Sequence, residues 1–169
     1  MVPPLSDVEL VRRLLTAALL GALLGFEREL RQKSAGLRTN ILIAIGSALF
    51  TLMSYEMASE AAGGDPGRIA AQIVTGIGFL GAGAIMRTHA GVQGLTTAAT
   101  VWVNAAVGVA AGGGEYHLAF LATAVTVAVL LVLEPLEGIV HRRWGVGKGG
   151  NGANGKHSPP VGDDTEQRN

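Results

Sequence analysis

Glu27 and Arg28 close one apolar run of this chain, and Arg38, Thr39 and Asn40 open the next. Charged groups at the facing ends of two apolar segments joined by a short loop lie at one depth. If those segments cross a bilayer, the charges need partners, because ionisable groups in hydrocarbon are costly. The chemistry this predicts is ion pairing, Glu27 with Arg38. A second polar set, Thr97, Thr100 and Asn104 with Gly108, falls at i, i+3, i+7 and i+11, which keeps all four on one helix face. Such a face either hydrogen-bonds across helices or lines a narrow polar cavity. Gln72 stands one helical turn from Gly76 and is expected to point at a neighbouring helix. Trp102 lies near the middle of its apolar run, where an indole N–H requires a buried acceptor.

No enzyme emerges from these residues. There is no Ser/His/Asp arrangement, no HExxH and no P-loop, and the four histidines stand singly. Gly76-Ile-Gly-Phe-Leu-Gly81 satisfies GxGxxG, but no strand precedes it and the next acidic residue is Glu115. A dinucleotide site needs both the strand and an acidic residue about twenty positions on. No cofactor and no metal set is expected. A net charge of zero gives no bulk attraction to nucleic acid, and the absence of cysteine excludes disulfides and thiolate chemistry.

The elements that must position these groups are membrane helices. Apolar residues make up 49% of the chain and charged residues only 15%, against about a quarter in soluble domains. Ile69–Met86 is uncharged and flanked by Arg68 and Arg87. As a helix it would rise roughly 27 Å, close to the hydrocarbon thickness of a bilayer. Five spans are predicted: 8–26, 37–58, 69–86, 95–112 and 117–133. The fold class is therefore an all-α integral membrane protein, a bundle of about five transmembrane helices. The first span requires Arg12 and Arg13 to snorkel toward the headgroups. A signal peptide is disfavoured there, since no Ala-x-Ala site ends the run and Glu27-Arg28-Glu29 comes directly after it. The fifth span carries only Thr123 and Thr126 as polar groups and is expected to face lipid. Gly21 and Gly25 form a GxxxG pair, and Gly76, Gly78, Gly81 and Gly83 cluster in the third span. Glycines of this kind let helices approach closely and are assigned to helix packing.

Two domains are expected: residues 1–144 in the membrane and 145–169 as a disordered tail, too rich in Gly, Asn, Ser and Pro to offset ordering entropy. Lysines and arginines number ten on the side of the first loop, the third loop and the tail, and three on the other. The positive-inside rule then places the tail in the cytoplasm and the N-terminus outside.

Leu20-Gly-Ala-Leu-Leu-Gly-Phe-Glu-Arg28, Ala35-Gly-Leu-Arg-Thr-Asn40, Gly67-Arg-Ile-Ala-Ala-Gln-Ile-Val74, Gly76-Ile-Gly-Phe-Leu-Gly-Ala-Gly-Ala-Ile-Met-Arg87 and Gly94-Leu-Thr-Thr-Ala-Ala-Thr-Val-Trp102 resemble the MgtC/SapB family of bacterial membrane proteins. The resemblance runs from about Leu14 to Leu133. It implies a multi-pass protein of the bacterial inner membrane, linked to growth at low magnesium and to survival inside macrophages. It also implies a regulator that contacts another membrane complex, the membrane sector of F-type ATP synthase; the alternative, motivated by the polar stripe Thr97, Thr100 and Asn104 with Gln72 and the membrane-edge charges, is a small channel or transporter for a cation such as magnesium. By the same likeness Glu27, Arg28, Arg38, Thr39, Gln72, Thr96 and Trp102 form a polar core, to which the α-helical stripe adds Asn104. Thr96 departs from the family pattern, which carries a functionally important asparagine there. A second departure is the loose tail in place of a folded cytoplasmic domain, which resembles the short, SapB-like members. The partners expected are the lipid bilayer, a second membrane protein and, as a further option, copies of this chain in a homo-oligomer.

Overall fold

The computed structural model describes residues 5–60, 64–65, 67–89 and 91–144. The predicted tail, 145–169, lies outside the described residues. The chain divides into two units, Met1–Glu134 and Pro135–Asn169. The first holds helices α1 (Asp7–Leu30), α2 (Leu37–Glu60), α3 (Arg68–Gly83) and α4 (Leu95–Gly113), with a hairpin of β1 (Met86–Thr88) and β2 (Gly91–Gln93) between the last two. The final helix, α5 (Tyr116–Trp144), begins in the first unit, and its last turns are the described part of the second. The molecule is an all-α membrane protein. α2, α4 and α5 are long and apolar enough to cross a bilayer, and α3 is a shorter apolar helix. The helix predicted to run to Met86 stops at Gly83.

α1 starts at Ser6, whose hydroxyl accepts from Glu9 N at 3.3 Å, the first half of a capping box. Arg12 and Arg13 do more than snorkel. Both pair with Glu9, and Arg13 donates to Gly112 O at the end of α4 at 2.8 Å. Tyr116 donates to Glu9 Oε1 at 2.8 Å, accepts from Arg12 Nε at 3.1 Å, and offers its ring face to the same guanidinium. A cation at the C-terminal carbonyls of α4 also meets the negative end of that helix dipole. This cluster fixes the start of α1 against the α4–α5 corner.

The α1–α2 turn is tight. Gln32 and Ala35 both adopt positive φ. Glu29 reaches across the turn and accepts from Leu37 N at 3.0 Å, capping α2 with a carboxylate. A side chain at Gly36 would have its Cβ 1.9 Å from that carboxylate.

The core sits among α1, α2 and α4, with Ala17, Leu20, Ala44, Ala48, Val107 and Ala111 fully buried, joined by Ala119 of α5. Alanines and glycines dominate because the helices are nearly in backbone contact. A second, smaller cluster of Ile77, Val101 and Ala105 joins α3 to α4. Only 11% of the apolar part of α5 is buried, which leaves it, like α3, largely uncovered by the rest of the unit. Its threonine hydroxyls are satisfied within the helix: Thr123 donates to Ala119 O and Thr126 to Ala122 O.

Candidate functional site

Two features built from the polar and glycine positions stand out: a polar layer inside the α1–α2–α4 seam, and an open groove between α2 and α3.

The polar layer begins at the C-terminal end of α1, where Glu27 and Arg28 are both buried. Arg28 Nη2 donates to Thr97 Oγ1 of α4, and Ser34 Oγ lies 3.4 Å from the same hydroxyl. Deeper in the seam Asn104 is fully buried, and its Nδ2 donates to Asn40 O at 2.7 Å and to Asn40 Oδ1 at 3.1 Å. Asn40 in turn donates to Ala35 O and Gly36 O, at 2.6 and 3.0 Å. The layer therefore ties the α1–α2 turn, α2 and α4 together through amides, hydroxyls and one guanidinium. Bonds of this kind hold helices together where water is absent. Thr97, Thr100, Asn104 and Gly108 are all on the buried face of α4.

The ion pair expected between Glu27 and Arg38 is replaced by another. Arg31 Nε, at the C-cap of the same helix, lies 2.7 Å from Glu27 Oε1 one turn back. That spacing needs no crossing of the loop. Asn40 takes the inward position on α2. Arg38, two residues earlier and hence about 200° round the helix, is exposed. Trp102 is likewise about 200° from Asn104, and its ring is 52% exposed, on the outer surface and not against a buried acceptor. Thr96 is exposed too, and only its carbonyl is used, accepting from Thr100 Oγ1 at 2.8 Å. Of the polar candidates, then, Glu27, Arg28 and Asn104 share the buried layer. Arg38, Thr39, Gln72, Thr96 and Trp102 stand outside it.

The glycines separate in the same way. A Cβ on Gly21 would stand 2.8 Å from Ala44 Cβ and from Asn40 O, and one on Gly25 would stand 2.7 Å from Leu37 Cα. From the other side, a Cβ on Gly108 would meet Ala44 O at 2.4 Å, and one on Gly112 would meet Ala48 O at 2.6 Å. α2 is thus gripped between two GxxxG pairs. Gly81 has ordinary contacts with Ala98, but Gly76, Gly78 and Gly83 have no atom of the described residues within 4 Å of a built Cβ. The expectation that the third helix packs through all its glycines is met within this chain by Gly81 alone. Asn40 and Gly112 have roles that no sequence motif assigned. The signals were present, as small residues at 40, 44 and 48 on α2 and the Gly108-x3-Gly112 repeat on α4.

Gly76 and Gly83 instead line a groove of about 790 Å³ between α2 and α3. The two helices run antiparallel from a contact of Ile69 N with Ser54 Oγ at 3.3 Å. Counted from that contact at equal rise per residue, Gly76 on α3 and Gly46 on α2 come within one residue's rise of the same depth. Gly46 also has no atom within 4 Å. Thr39 and Ser34 line one end of the groove and Gln72 the other part, between walls of Ile43, Phe50, Ile73 and Leu80. Gln72 therefore points toward a space beside α2 and not into a packed interface. Among the described residues no group of three or more His, Cys, Asp or Glu is placed to hold a metal ion.

Residues 14–139 match the MgtC family. The chain is 51% identical over 123 residues to the protein MgtC of Salmonella typhimurium strain LT2, covering 73% of this chain and 52% of that protein. It is 51% identical over 120 residues to MgtC of Brucella abortus strain 2308, covering 71% and 49%. It is 47% identical over 133 residues to a protein of Escherichia coli strain K12 named "Putative magnesium transporter YhiD", covering 76% and 62%. The chain thus spans about half to three fifths of the length of these relatives. No solved structure matches.

Proposed function

Since the chain belongs to the MgtC family, we propose that it is a non-enzymatic protein of the bacterial inner membrane that regulates another membrane complex by helix–helix contact, in adaptation to low magnesium. The observation that carries this reading is the α2–α3 groove. It is apolar along its walls, and bare glycines face it from both helices within one residue's rise of each other. A membrane helix can seat a large side chain there, since close approach at small residues is what drives helix association in lipid. The resemblance supplies the partner to test first, the membrane sector of F-type ATP synthase. In this reading the α1–α2 turn and the hairpin face the cytoplasm, as does the tail.

The test is affinity capture from native membranes at low and high magnesium, with partners identified by mass spectrometry, for the parent and for Gly76→Leu. Capture of a membrane complex by the parent, lost in a Gly76→Leu protein that still inserts and folds, is the expected result. Capture of nothing but further copies of this chain, or equal capture by both proteins, overturns the reading.

Transport of magnesium is the second reading, motivated by the name of the Escherichia coli relative and by the polar row Thr97, Thr100 and Asn104. Against it, the row ends on the buried Arg28 guanidinium, and a fixed positive charge at a constriction repels cations. Magnesium flux into proteoliposomes holding the purified protein would favour transport over regulation.

A further inference from the structure

α3 is too short for the apolar run that forms it. Its 16 residues rise about 24 Å, against roughly 30 Å of hydrocarbon in a bilayer. The helix closes with Ala84 N bonded to Gly81 O and Ile85 N to Ala82 O, each at 3.1 Å, a tightened last turn that sends the chain out of helical geometry. The chain then enters the β1–β2 hairpin, paired Met86 with Gln93, Arg87 with Val92 and Thr88 with Gly91. The rest of the apolar run, Ala84, Ile85 and Met86, therefore lies at the base of this hairpin.

Every position of both strands is exposed. Met86, Val92 and Leu95 each expose more than half of their surface, and no described residue covers them. Gln93 stands opposite Met86 at the base and Arg87 opposite Val92 one step along, with Thr88 and His89 toward the tip. The base and middle of the hairpin thus carry exposed apolar groups, Met86 and Val92, beside Gln93 and Arg87, and the tip is polar. A three-residue ribbon is at best marginal in water. Near the hydrocarbon edge its cross-strand bonds matter more, because unpaired backbone groups there cannot turn to solvent. Thr88 Oγ1 adds a bond to Gly91 O at 3.1 Å. The base is closed by Gly94, at φ +90°, where a Cβ would stand 1.9 Å from Ala84 O. The ribbon is therefore held directly on the ends of α3 and α4.

We infer that the β1–β2 hairpin is a membrane-interface element whose ligand is the bilayer itself. Met86 and Val92 sit among the acyl chains just below the headgroups, and Arg87 and His89 reach the lipid phosphates. The hairpin completes the span that α3 leaves short. The length deficit and the exposed apolar groups beside a long basic side chain both point to a lipid boundary, where apolar stems and basic heads are favoured together.

The chain has no cysteine, so single labels can be placed without other changes. Met86→Cys, Val92→Cys and His89→Cys, spin-labelled in liposomes of phosphatidylethanolamine and phosphatidylglycerol containing this chain alone, are compared for collision with oxygen and with a water-soluble nickel chelate. Oxygen is expected to dominate at positions 86 and 92, and nickel at 89. Nickel dominating at all three would overturn the inference by placing the hairpin in water. Protection of 86 and 92 from both reagents would overturn it too, by showing a second copy of the chain over the hairpin. If Val92→Cys fails to accumulate, the contrast of positions 86 and 89 decides alone.

Discussion

The two interfaces of α2 use glycine in opposite ways. Toward α1 and α4, glycines 21, 25, 108 and 112 are closed against α2 so tightly that a methyl group at any of them would overlap backbone or Cβ atoms. Toward α3, glycines 46 and 76 meet nothing. The first set brings helices into backbone contact and sets the stability of the bundle. The second keeps a groove open, which contributes nothing to the stability of the single chain. A glycine-rich segment is therefore not by itself a packing segment. What decides is whether another backbone arrives.

This contrast is breakable. The largest effect is expected from Gly108→Leu, which drives a side chain into Ala44 O. Overpacking typically costs about 1–3 kcal/mol and more against backbone, so folded protein in the membrane should largely disappear, read by yield and by monodispersity in mild detergent. Gly76→Leu in the same assay should leave the folded fraction unchanged. Equal loss from both variants would show that the two interfaces do not differ. A step below lies Asn104→Ala, which strips the amide that joins Asn40 to α4 and leaves Asn40 acceptors buried. A loss of about 1–3 kcal/mol should appear as a lower unfolding midpoint in detergent, and no change would show that the polar layer does not hold the seam. The smallest effect concerns the far end of the same seam. Arg13→Ala removes the bond to Gly112 O from a largely buried guanidinium. About 1–2 kcal/mol is expected there, the range of a bond from a charged donor partly offset by nearby solvent, with the α2–α3 groove and any capture through it left intact.

The candidate site was partly legible. Thr97, Thr100, Asn104 and Gly108 share a face because 3.6 residues per turn admits no other arrangement once the segment is helical. Glu27 and Arg28 were visible as charges at the edge of an apolar run. Their partners were not, because a carboxylate at one depth can choose among several guanidinia. Arg31, at the C-cap of the same helix, was already one turn away, whereas reaching Arg38 required α2 to be rotated in a way that would have turned Asn40 outward. Thr96 was assigned by motif, and Trp102 by motif and by its depth in the span; neither carries information about which side of a helix faces its neighbours.

Composition and periodicity alone determined that this chain is helical and belongs in lipid, since apolar runs of bilayer length leave the backbone no other way to satisfy its hydrogen bonds. They also determined that α5 faces outward, as it has almost nothing polar to bury. Only the tertiary structure decided which glycines close and which stay open, that Asn40 meets Asn104, and that the third helix stops short at Gly83. Those outcomes depend on helix rotation and offset, which are set by packing between segments far apart in sequence and leave no mark on any one of them.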